Sequence, residues 1–169
     1  MGTAIHREHG DRSITAAVLT VTTSRTLATD KTGELIRREL EKEGHRVVDH
    51  RLAPDHIFAI TSALRDILTT HAPRVVLVNG GTGISPTDVT IEAVRPLLDK
   101  EMPAFSALFA HLSFEEVDTA ALLSRAMAGT LDSSLIFCLP GSSRACKLAL
   151  AQLILPELSH MAAHAAGKV

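Results

Sequence analysis

A glycine-rich turn with a carboxylate beside it is the part of this sequence best suited to chemistry. Residues 77–88 read LVNGGTGISPTD, an apolar run that opens into a turn containing Gly80, Gly81 and Gly83. Glycine reaches backbone angles closed to other residues and leaves its N–H uncovered, so an anionic oxygen can approach the chain itself. Asp88 stands beside this predicted anion site, and a carboxylate next to a phosphate suggests a bridging Mg²⁺ ion.

The glycine turn does not match the familiar nucleotide-binding patterns. No Lys follows Gly83, as a P-loop requires, and Pro86 stands where the third glycine of a dinucleotide-binding fingerprint belongs. A purely structural turn is therefore the alternative interpretation. A tight turn needs only one or two special residues, however, and this one has three glycines in four positions.

A second carboxylate, Asp55, follows Pro54 and precedes a predicted helix. It could simply cap that helix, since Asp is among the residues preferred at a helix N-cap. Asp88 has a weaker structural explanation, because Thr90, two residues later, is the better candidate for the cap of the next helix. If both carboxylates face one hollow that also holds phosphate oxygens, they make a Mg²⁺ site.

The elements that must position these groups alternate between strands and helices. Apolar and β-branched runs predict strands at residues 14–22, 46–52, 74–79 and 135–139. Apolar spacings of three and four predict helices at 31–43, in the segment containing Ile57, Ile60, Leu64, Ile67 and Leu68, in a short stretch capped by Thr90, and at 103–112, 119–128 and 144–163.

This alternation predicts an α/β fold. Strands joined by helices need crossover connections, which give a mostly parallel sheet covered on both faces. Ligands of such sheets lie outside the carboxyl ends of the strands. The three most distinctive turns, at 22–24, 80–83 and 140–143, all follow predicted strands, so they are expected to line one edge of the sheet.

Composition limits the classes of function. The 169 residues are 46% hydrophobic, enough for a single domain, which we place at 13–169 after a flexible polar segment at 1–12. The net charge of −2 gives no basic field, Trp and Tyr are absent and only five Phe occur, so nucleic acid is not an expected partner. No signal peptide and no apolar run of about 18 residues is present, which predicts a cytoplasmic protein without a membrane partner.

Other reactive side chains have ordinary explanations. Cys138 and Cys146 fall in apolar segments and are expected to be buried free thiols. His160 and His164 are four residues apart but lack the Glu of a zinc protease, so a solvated helical face is expected. The serines at 142–143 either cap the last helix or give donors to an anion.

Four segments, taken together, resemble one family. Gly80-Gly81-Thr82-Gly83 is followed by Asp88-Val89-Thr90, then by Leu123-Ser124-Arg125-Ala126 and by Leu139-Pro140-Gly141-Ser142. In that order and spacing they resemble the molybdopterin adenylyltransferases of molybdenum-cofactor biosynthesis, the MoaB/Mog type, over residues 14–158. The segments at 112–116 and 143–146 look closer to the MoaB branch of this family.

The resemblance implies a three-layer α/β/α sandwich and a reaction in which the phosphate of molybdopterin attacks the α-phosphate of ATP, giving adenylyl-molybdopterin and pyrophosphate. It implies that Asp55 and Asp88 are the catalytic aspartates and hold Mg²⁺. The residues expected to bind molybdopterin and its phosphate are Thr22, Ser24, Gly80, Gly81, Thr82, Gly83, Ser124, Arg125, Pro140, Gly141 and Ser142. Such a site must supply position and charge neutralisation rather than a base, since a phosphate monoester is already a nucleophile at neutral pH.

Two departures from the family pattern bear on turnover. Thr22-Thr23-Ser24 replaces the usual Ser-Asp start of the first loop and removes a carboxylate. Ala107 and Ala110 stand where the family has Glu and Arg, and the loss of that Arg removes an anion contact worth on the order of a few kcal/mol. Two alternatives therefore stay open: a non-catalytic paralogue that only binds or assembles molybdopterin, and a nucleotide-processing enzyme that ignores the pterin.

The resemblance also implies self-association, as a homotrimer or as a hexamer built from trimers. The apolar residues Phe105, Leu108, Phe109 and Leu112 are the candidate contact between copies, and burial in the protomer's own core is the alternative. Molybdopterin, ATP and further copies of the chain are thus the expected partners.

Overall fold

Six strands form one mixed sheet in the computed structural model, which describes residues 13–167. The segment 1–12, predicted to be flexible, and residues 168–169 lie outside the described residues. The strands are β1 (Thr15–Val21), β2 (Arg46–Ala53), β3 (Val75–Asn79), β4 (Lys100–Glu101), β5 (Met127–Leu131) and β6 (Ser134–Leu139). Across the sheet they lie in the order β2, β1, β3, β6, β5, β4.

Helices cover both faces of this sheet. The described part of the chain has six α-helices: α1 (Lys31–Lys42), α2 (Ile57–His71), α3 (Thr90–Val94), α4 (Pro103–Val117), α5 (Ser143–Ala149) and α6 (Leu158–Ala165). One hydrophobic core joins the sheet to α1, α4, α5 and α6, and a second core joins its other face to α2 and α3. The predicted three-layer α/β/α sandwich is confirmed.

The strands β2, β1, β3 and β6 run parallel to one another, and we call them the parallel half. All five residues of β3 are buried, as expected of an apolar run covered on both faces. Parallel neighbours cannot be joined by tight turns, so helical crossovers connect them. The carboxyl ends of β1, β3 and β6 consequently lie side by side at one edge of the sheet.

The rest of the sheet, β5 and β4, is antiparallel, and together with α4 and the turn that follows it we call it the antiparallel edge. The helix predicted over 119–128 is wrong: the chain forms a 3₁₀ helix at Asp118–Leu123 and then enters β5. β5 joins β6 through a hairpin whose two turn residues, Asp132 and Ser133, both have positive φ. Strand pairing there outweighs the local helix preference of Ala and Leu.

The last predicted helix is broken rather than continuous. α5 passes into a π-helical turn at Leu150–Ile154 and a 3₁₀ turn at Leu155–Glu157 before α6 begins. Pro156 lies in the 3₁₀ turn, and because it has no N–H it cannot extend the α-helical hydrogen-bond ladder. Within residues 13–167, none of the helices is long and apolar enough to cross a bilayer.

The candidate oligomer contact on α4 divides between core and surface. Phe105 and Phe109 are buried, and Phe105 meets Phe137 of β6 edge-to-face with ring centroids 5.1 Å apart. These two side chains belong to the protomer's own core, so their assignment to a contact between copies is wrong. Leu108 is exposed and Leu112 is half-buried.

Both cysteines are buried free thiols, as predicted. Burial raises the pKa of Cys138 and of Cys146 to about 12, so neither carries a thiolate at neutral pH. The Sγ–H of Cys146 donates to the carbonyl of Pro140 at 3.0 Å. Their part in the molecule is packing, with no nucleophilic chemistry.

Candidate functional site

The three predicted turns meet at the carboxyl edge of the parallel half, as the sequence predicts. The N–H of Gly80, after β3, donates to the carbonyl of Leu139, at the end of β6, at 3.0 Å. A Cβ on Gly80 would lie 2.3 Å from the carbonyl oxygen of Val21, and one on Gly141 would lie 3.3 Å from the Cα of Gly80. The backbones after β1, β3 and β6 are therefore in direct contact, and side chains are excluded between them.

The glycine turn offers backbone donors that the protein leaves unused. Gly80 and Gly81 have φ of 96° and 60°, values that disfavour a side chain, so part of the glycine content has a structural cause. Among the residues that the structure describes, the N–H groups of Gly81, Thr82 and Gly83 have no protein acceptor. Since buried or half-buried N–H groups are normally paired, three successive unpaired ones favour an anion site over a purely structural turn.

Two residues from outside the turn hold its shape by donating to its carbonyls. The hydroxyl of Thr90 donates to the carbonyl of Gly80 at 2.8 Å, and the backbone N–H of Thr90 donates to that of Gly81 at 2.9 Å. Nε of Arg125 lies 3.0 Å from the carbonyl oxygens of both Thr82 and Gly83. Thr90 is the first residue of α3 and Val89 is its N-cap, so the prediction that Thr90 caps this helix is wrong.

Arg125, predicted to bind the pterin phosphate, is engaged with the protein itself. Its Nη2 donates to the backbone carbonyl of Asp88 at 3.2 Å, and its Nη1 donates to Glu92 at 2.5 Å. The hydrogen bond from Arg125 lowers the pKa of Glu92, which remains a carboxylate and fixes the guanidinium. Arg125 therefore positions the turn.

Asp55 lies beside the turn without a capping role. The helix α2 begins at Ile57 and its N-cap is His56, so the interpretation of Asp55 as the cap is wrong. Oδ1 of Asp55 lies 3.1 Å from the point where a Cβ on Gly81 would stand. Its carboxylate accepts no hydrogen bond within the described part of the chain, which leaves it available to a cation.

Asp88 flanks the other end of the same turn. Its Oδ2 accepts the N–H of Ser85 at 2.9 Å and lies 2.7 Å from the position of a Cβ on Gly83. Oδ2 of Asp88 thus joins the two ends of the loop at 85–88, and Oδ1 takes no part in this hydrogen bond. The structure brings each predicted aspartate to the glycine turn, Asp55 at Gly81 and Asp88 at Gly83.

The two flanking loops are ordered by local hydrogen bonds. After β1, the hydroxyl of Thr22 accepts the N–H of Ser24 at 3.3 Å, and the Thr22 N–H donates to the carbonyl of Ala53 at 2.8 Å. After β6, the Ser142 hydroxyl accepts the N–H of Ala145 at 3.5 Å and caps α5, so the capping interpretation of this serine is confirmed. Residues 22–24 and 140–143 carry no charged side chain, and the nearest cation after β1 is Arg25, whose Nη1 lies 3.8 Å from Oδ1 of Asp30.

A buried polar cluster beneath the turn was not predicted from the sequence. Asp30, the N-cap of α1, accepts hydrogen bonds from Thr20 at 2.6 Å and from the N–H of Gly33 at 3.0 Å, and its Oδ2 lies 2.9 Å from Nε2 of His50. Nδ2 of Asn79, the residue before the glycine turn, donates to Thr20 at 2.8 Å. The polar residues Thr20 and Asn79, inside mostly apolar strands, were the feature of the sequence that could have indicated this cluster.

The cluster keeps one charge inside the protein. Burial alone would raise the pKa of Asp30, but the hydrogen bonds from Thr20, Gly33 and His50 together hold it below its ordinary value. The Oδ1 atom of Asn79 is buried and has no hydrogen-bond partner in the described residues. The ionised carboxylate thus ties the start of α1 to the ends of β1 and β3.

Comparison with known proteins agrees with this geometry. A family described as a probable molybdopterin binding domain matches residues 17–160. The chain belongs to this family. The match spans most of the chain, and it confirms the family predicted from the sequence.

Three relatives illustrate the match. The molybdenum cofactor biosynthesis protein B of Staphylococcus epidermidis is 52% identical over 157 residues, which cover 90% of this chain and 89% of that protein. A crystal structure of a molybdenum cofactor biosynthesis protein B has a TM-score of 0.88 at 41% identity, covering 90% of this chain and 96% of the other. The tungsten cofactor synthesizing protein MoaB from Pyrococcus furiosus has a TM-score of 0.83 at 35% identity, covering 92% and 99%.

The two alanines that depart from the family pattern lie on α4, and both are exposed. Ala110 borders a cavity of about 350 Å³ that is also lined by Arg125, whose Nε bonds the glycine turn. The cavity is lined by Ile91, Arg95, Glu101, Pro103, Ser106, Phe109, Ala110, Ser124, Arg125 and Ala126. Ser124, a predicted ligand, therefore faces this cavity, and the small side chain of Ala110 leaves the space open.

The positive charges beside this cavity are already balanced. Arg95 pairs with Glu101 at 3.0 Å, and Arg125 pairs with Glu92. Each guanidinium therefore has a carboxylate neighbour of its own. At the turn itself, the donors without a protein acceptor among the described residues are the backbone N–H groups of Gly81, Thr82 and Gly83.

Proposed function

We propose that the protein is a molybdenum-cofactor biosynthesis protein that binds molybdopterin at the glycine turn and adenylylates its phosphate with Mg-ATP, releasing pyrophosphate. The observation that carries the proposal is the set of unpaired N–H groups at Gly81, Thr82 and Gly83, flanked by Asp55 and Asp88. A concave run of backbone donors next to carboxylates suits a phosphate with a bound cation. The names of the relatives, all of molybdenum or tungsten cofactor biosynthesis, support a pterin as the partner of that phosphate.

In the proposed reaction, a phosphate oxygen of molybdopterin attacks the α-phosphorus of ATP. The bond from that phosphorus to the bridging oxygen of the β-phosphate breaks, and pyrophosphate leaves with the electron pair. No proton has to be removed from the nucleophile, so position and charge are what the protein contributes. The turn N–H groups would fix one phosphate, while Thr90 and Arg125 hold the turn in a single shape.

The carboxylates present suit Mg²⁺. Asp55 accepts no hydrogen bond within residues 13–167, and Asp88 has one oxygen outside its bond to Ser85, so each can supply a ligand. No three His, Cys, Asp or Glu side chains of the described residues cluster into a complete metal site. Mg²⁺ commonly keeps water and substrate phosphates as ligands and needs only one or two carboxylates. Bound there, it would neutralise charge on the reacting phosphates.

The direct test follows pyrophosphate release from purified protein mixed with molybdopterin, ATP and Mg²⁺. Turnover is expected, and Asp55→Asn and Asp88→Asn are each expected to lower it by about 100-fold, since both remove charge from the reacting phosphates. Asp132→Asn, on the exposed β5–β6 hairpin, is the matched control and keeps full activity. An inactive wild type, under conditions in which a known molybdopterin adenylyltransferase works, would contradict the proposal.

A molybdopterin-binding or assembly protein without turnover is the second candidate. The observation in its favour is the balanced charge beside Ala110, where both Arg95 and Arg125 are paired with glutamates. This candidate predicts calorimetric binding of molybdopterin, no pyrophosphate from ATP, and little change in binding when Asp88→Asn is introduced. Binding and turnover measured on the same preparation separate the two candidates.

Further copies of the chain are the proposed protein partners, in a trimer or hexamer of cytoplasmic subunits that each form one domain over 13–169. Support comes from the apolar surface of the antiparallel edge, where Leu108, Phe114, Leu122 and Leu123 are more than half exposed. Contiguous apolar patches of this kind mark association surfaces. Light scattering should give a mass that is a multiple of the protomer, and Leu122→Glu should reduce it.

A further inference from the structure

Two histidines near the end of the chain form a contact that the proposed function does not use. His160 and His164, one turn apart on α6, have Nε2 atoms 2.9 Å apart and ring centroids 4.6 Å apart. The side chain of His160 is only 26% exposed, so the predicted solvated face is wrong for this residue. His164 is exposed. The pair lies on the helix that closes the fold, away from the glycine turn.

Glu157 contacts the ring nitrogen of His160 that does not face His164. Its Oε2 lies 3.2 Å from Nδ1 of His160, one turn earlier on the chain. A carboxylate at Nδ1 favours the tautomer that carries its proton there, which leaves Nε2 with a lone pair. Metal-bound histidines commonly have a carboxylate at the ring nitrogen that does not bind the metal. Nε2 of His160 is thus prepared as a ligand.

We propose that His160 and His164 bind one divalent transition-metal ion through their Nε2 atoms. At metal–nitrogen distances of about 2.0–2.1 Å, two ligands at right angles stand about 2.9 Å apart, and two tetrahedral ligands about 3.3 Å apart. The 2.9 Å between the two nitrogens matches the right-angled case. Cu²⁺ and Ni²⁺ favour that arrangement, and Cu²⁺ binds nitrogen ligands most tightly of the series.

A groove beside the pair has room for the remaining ligands. It has a volume of about 690 Å³ and is lined by Asp99, Lys100, Met102, Thr130, Ser133, Leu135, His160, Met161, His164 and Ala165. Within the described residues, no third His, Cys, Asp or Glu completes a metal cluster with the two histidines. Water or a small anion would therefore fill the open positions. Leu135 marks the amino end of β6, so the groove lies at the edge of the sheet opposite the glycine turn.

The test is calorimetric titration of Ni²⁺ and Cu²⁺ into full-length, untagged protein. All versions carry His6→Ala and His9→Ala, because those two residues could bind a metal by themselves. One ion per chain is expected, bound more tightly for Cu²⁺ than for Ni²⁺. Glu157→Gln is expected to weaken binding about tenfold, as loss of an orienting carboxylate does.

His164→Ala is expected to abolish this binding, and His111→Ala is the matched control. His111 is an exposed histidine of α4 that pairs with Glu115 one turn later but has no second histidine beside it. Electron paramagnetic resonance of the Cu²⁺ form should show two imidazole nitrogens in the parent and fewer in His164→Ala. Absence of binding, or binding and spectra that His164→Ala leaves unchanged, overturns the proposal and leaves the 2.9 Å contact as a hydrogen bond between the rings.

Discussion

The parallel half and the antiparallel edge differ in which side chains they bury and which they expose. In the parallel half, Asp30, Thr20 and Asn79 are buried and linked by hydrogen bonds, and the turn above them is fixed by glycines that leave no room for side chains. The antiparallel edge exposes apolar side chains and presents alanines at 107 and 110. One side links its polar groups by hydrogen bonds, and the other has alanine at the two positions where the family has Glu and Arg.

This difference separates two requirements of phosphoryl transfer. A preformed row of backbone donors binds a phosphate at little entropic cost, because the donors do not move. Additional charge is needed to stabilise the transition state, and that charge comes from side chains. In the reaction proposed for this protein, the parallel half supplies the first requirement. The antiparallel edge supplies Arg125 as a support for the turn, with its charge already balanced by Glu92.

The largest effect is expected when the backbone contact of the parallel half is broken. Gly80→Ala would place a Cβ 2.3 Å from the carbonyl oxygen of Val21 in a residue with φ of 96°, so we expect a loss of about 3 kcal/mol or more in unfolding free energy. Gly44→Ala is the matched control, because its φ is 86° but nothing lies within 4 Å of the added atom. It should cost about 1 kcal/mol. Equal losses in urea unfolding would contradict the steric explanation.

The second effect concerns the reduced side. Restoring the family pattern with Ala107→Glu and Ala110→Arg together should raise the rate of pyrophosphate release by about 10- to 100-fold, since an acid and an Arg able to bind an anion in bidentate fashion return to α4, whose Ala110 shares a cavity with Arg125. Ala104→Glu with His111→Arg, at two exposed positions of the same helix that do not line the cavity, controls for added charge. A double variant no faster than the parent would show that the antiparallel edge does not limit turnover.

A third, smaller effect depends on pH. The folded-state pKa of Asp30 lies below its ordinary value, so its carboxylate contributes stability that is present above the unfolded pKa of about 3.8 and is lost as pH falls through the lower folded value. Asp30→Asn should cost about 1–3 kcal/mol at pH 7, because buried partners are left with a poorer acceptor. That difference should shrink on acidification below about pH 4.

Unfolding curves from pH 7 to pH 3 measure this change for the parent, Asp30→Asn and the exposed control Asp132→Asn. The control should differ little from the parent at every pH, since surface substitutions rarely exceed about 0.5 kcal/mol. A gap between parent and Asp30→Asn that stays constant or widens in acid would mean that the carboxylate is not a stabilising anion.

The smallest effect is a gain at the antiparallel edge. Asp118, the C-cap of α4, has φ of 53° and ψ of −142°, a region that suits glycine. Asp118→Gly should raise the unfolding free energy by about 1 kcal/mol through relief of this strain. Asp118→Ala keeps the strain and should bring no gain. A matching rise in both variants would trace the effect to the lost carboxylate instead.

The two sides also differ in how far their structure followed from sequence. β1, β3 and β6 are short and mostly apolar, so burial on both faces could be predicted from composition, and with it the edge where the turns meet. β5 could not, because Met127 and Ala128 continue a helix-favouring stretch, and the strand exists through pairing with β6 and β4. β4 is only two residues long and has no periodic pattern to detect.

Within the site, the sequence predicted which side chains lie at the glycine turn, but it did not predict their hydrogen-bond partners. Asp55 and Asp88 reach the glycine turn as expected, but their hydrogen bonds follow from loop geometry that spacing does not reveal. Arg125 was expected to face a ligand, and it supports the turn because carbonyl oxygens far along the chain lie within its reach. Asp30 was missed because its partners in β1 and β3 are distant in sequence.

The bonds from Arg125 to the turn also fix an order of events. They join positions 42 and 43 residues apart. The Gly80 N–H donates to Leu139, which is synthesised still later than Arg125. On a growing chain the glycine segment emerges well before the residues that shape it, and contacts of such separation form slowly. These separations predict that the glycine turn reaches its final shape only after the strands that present it have paired.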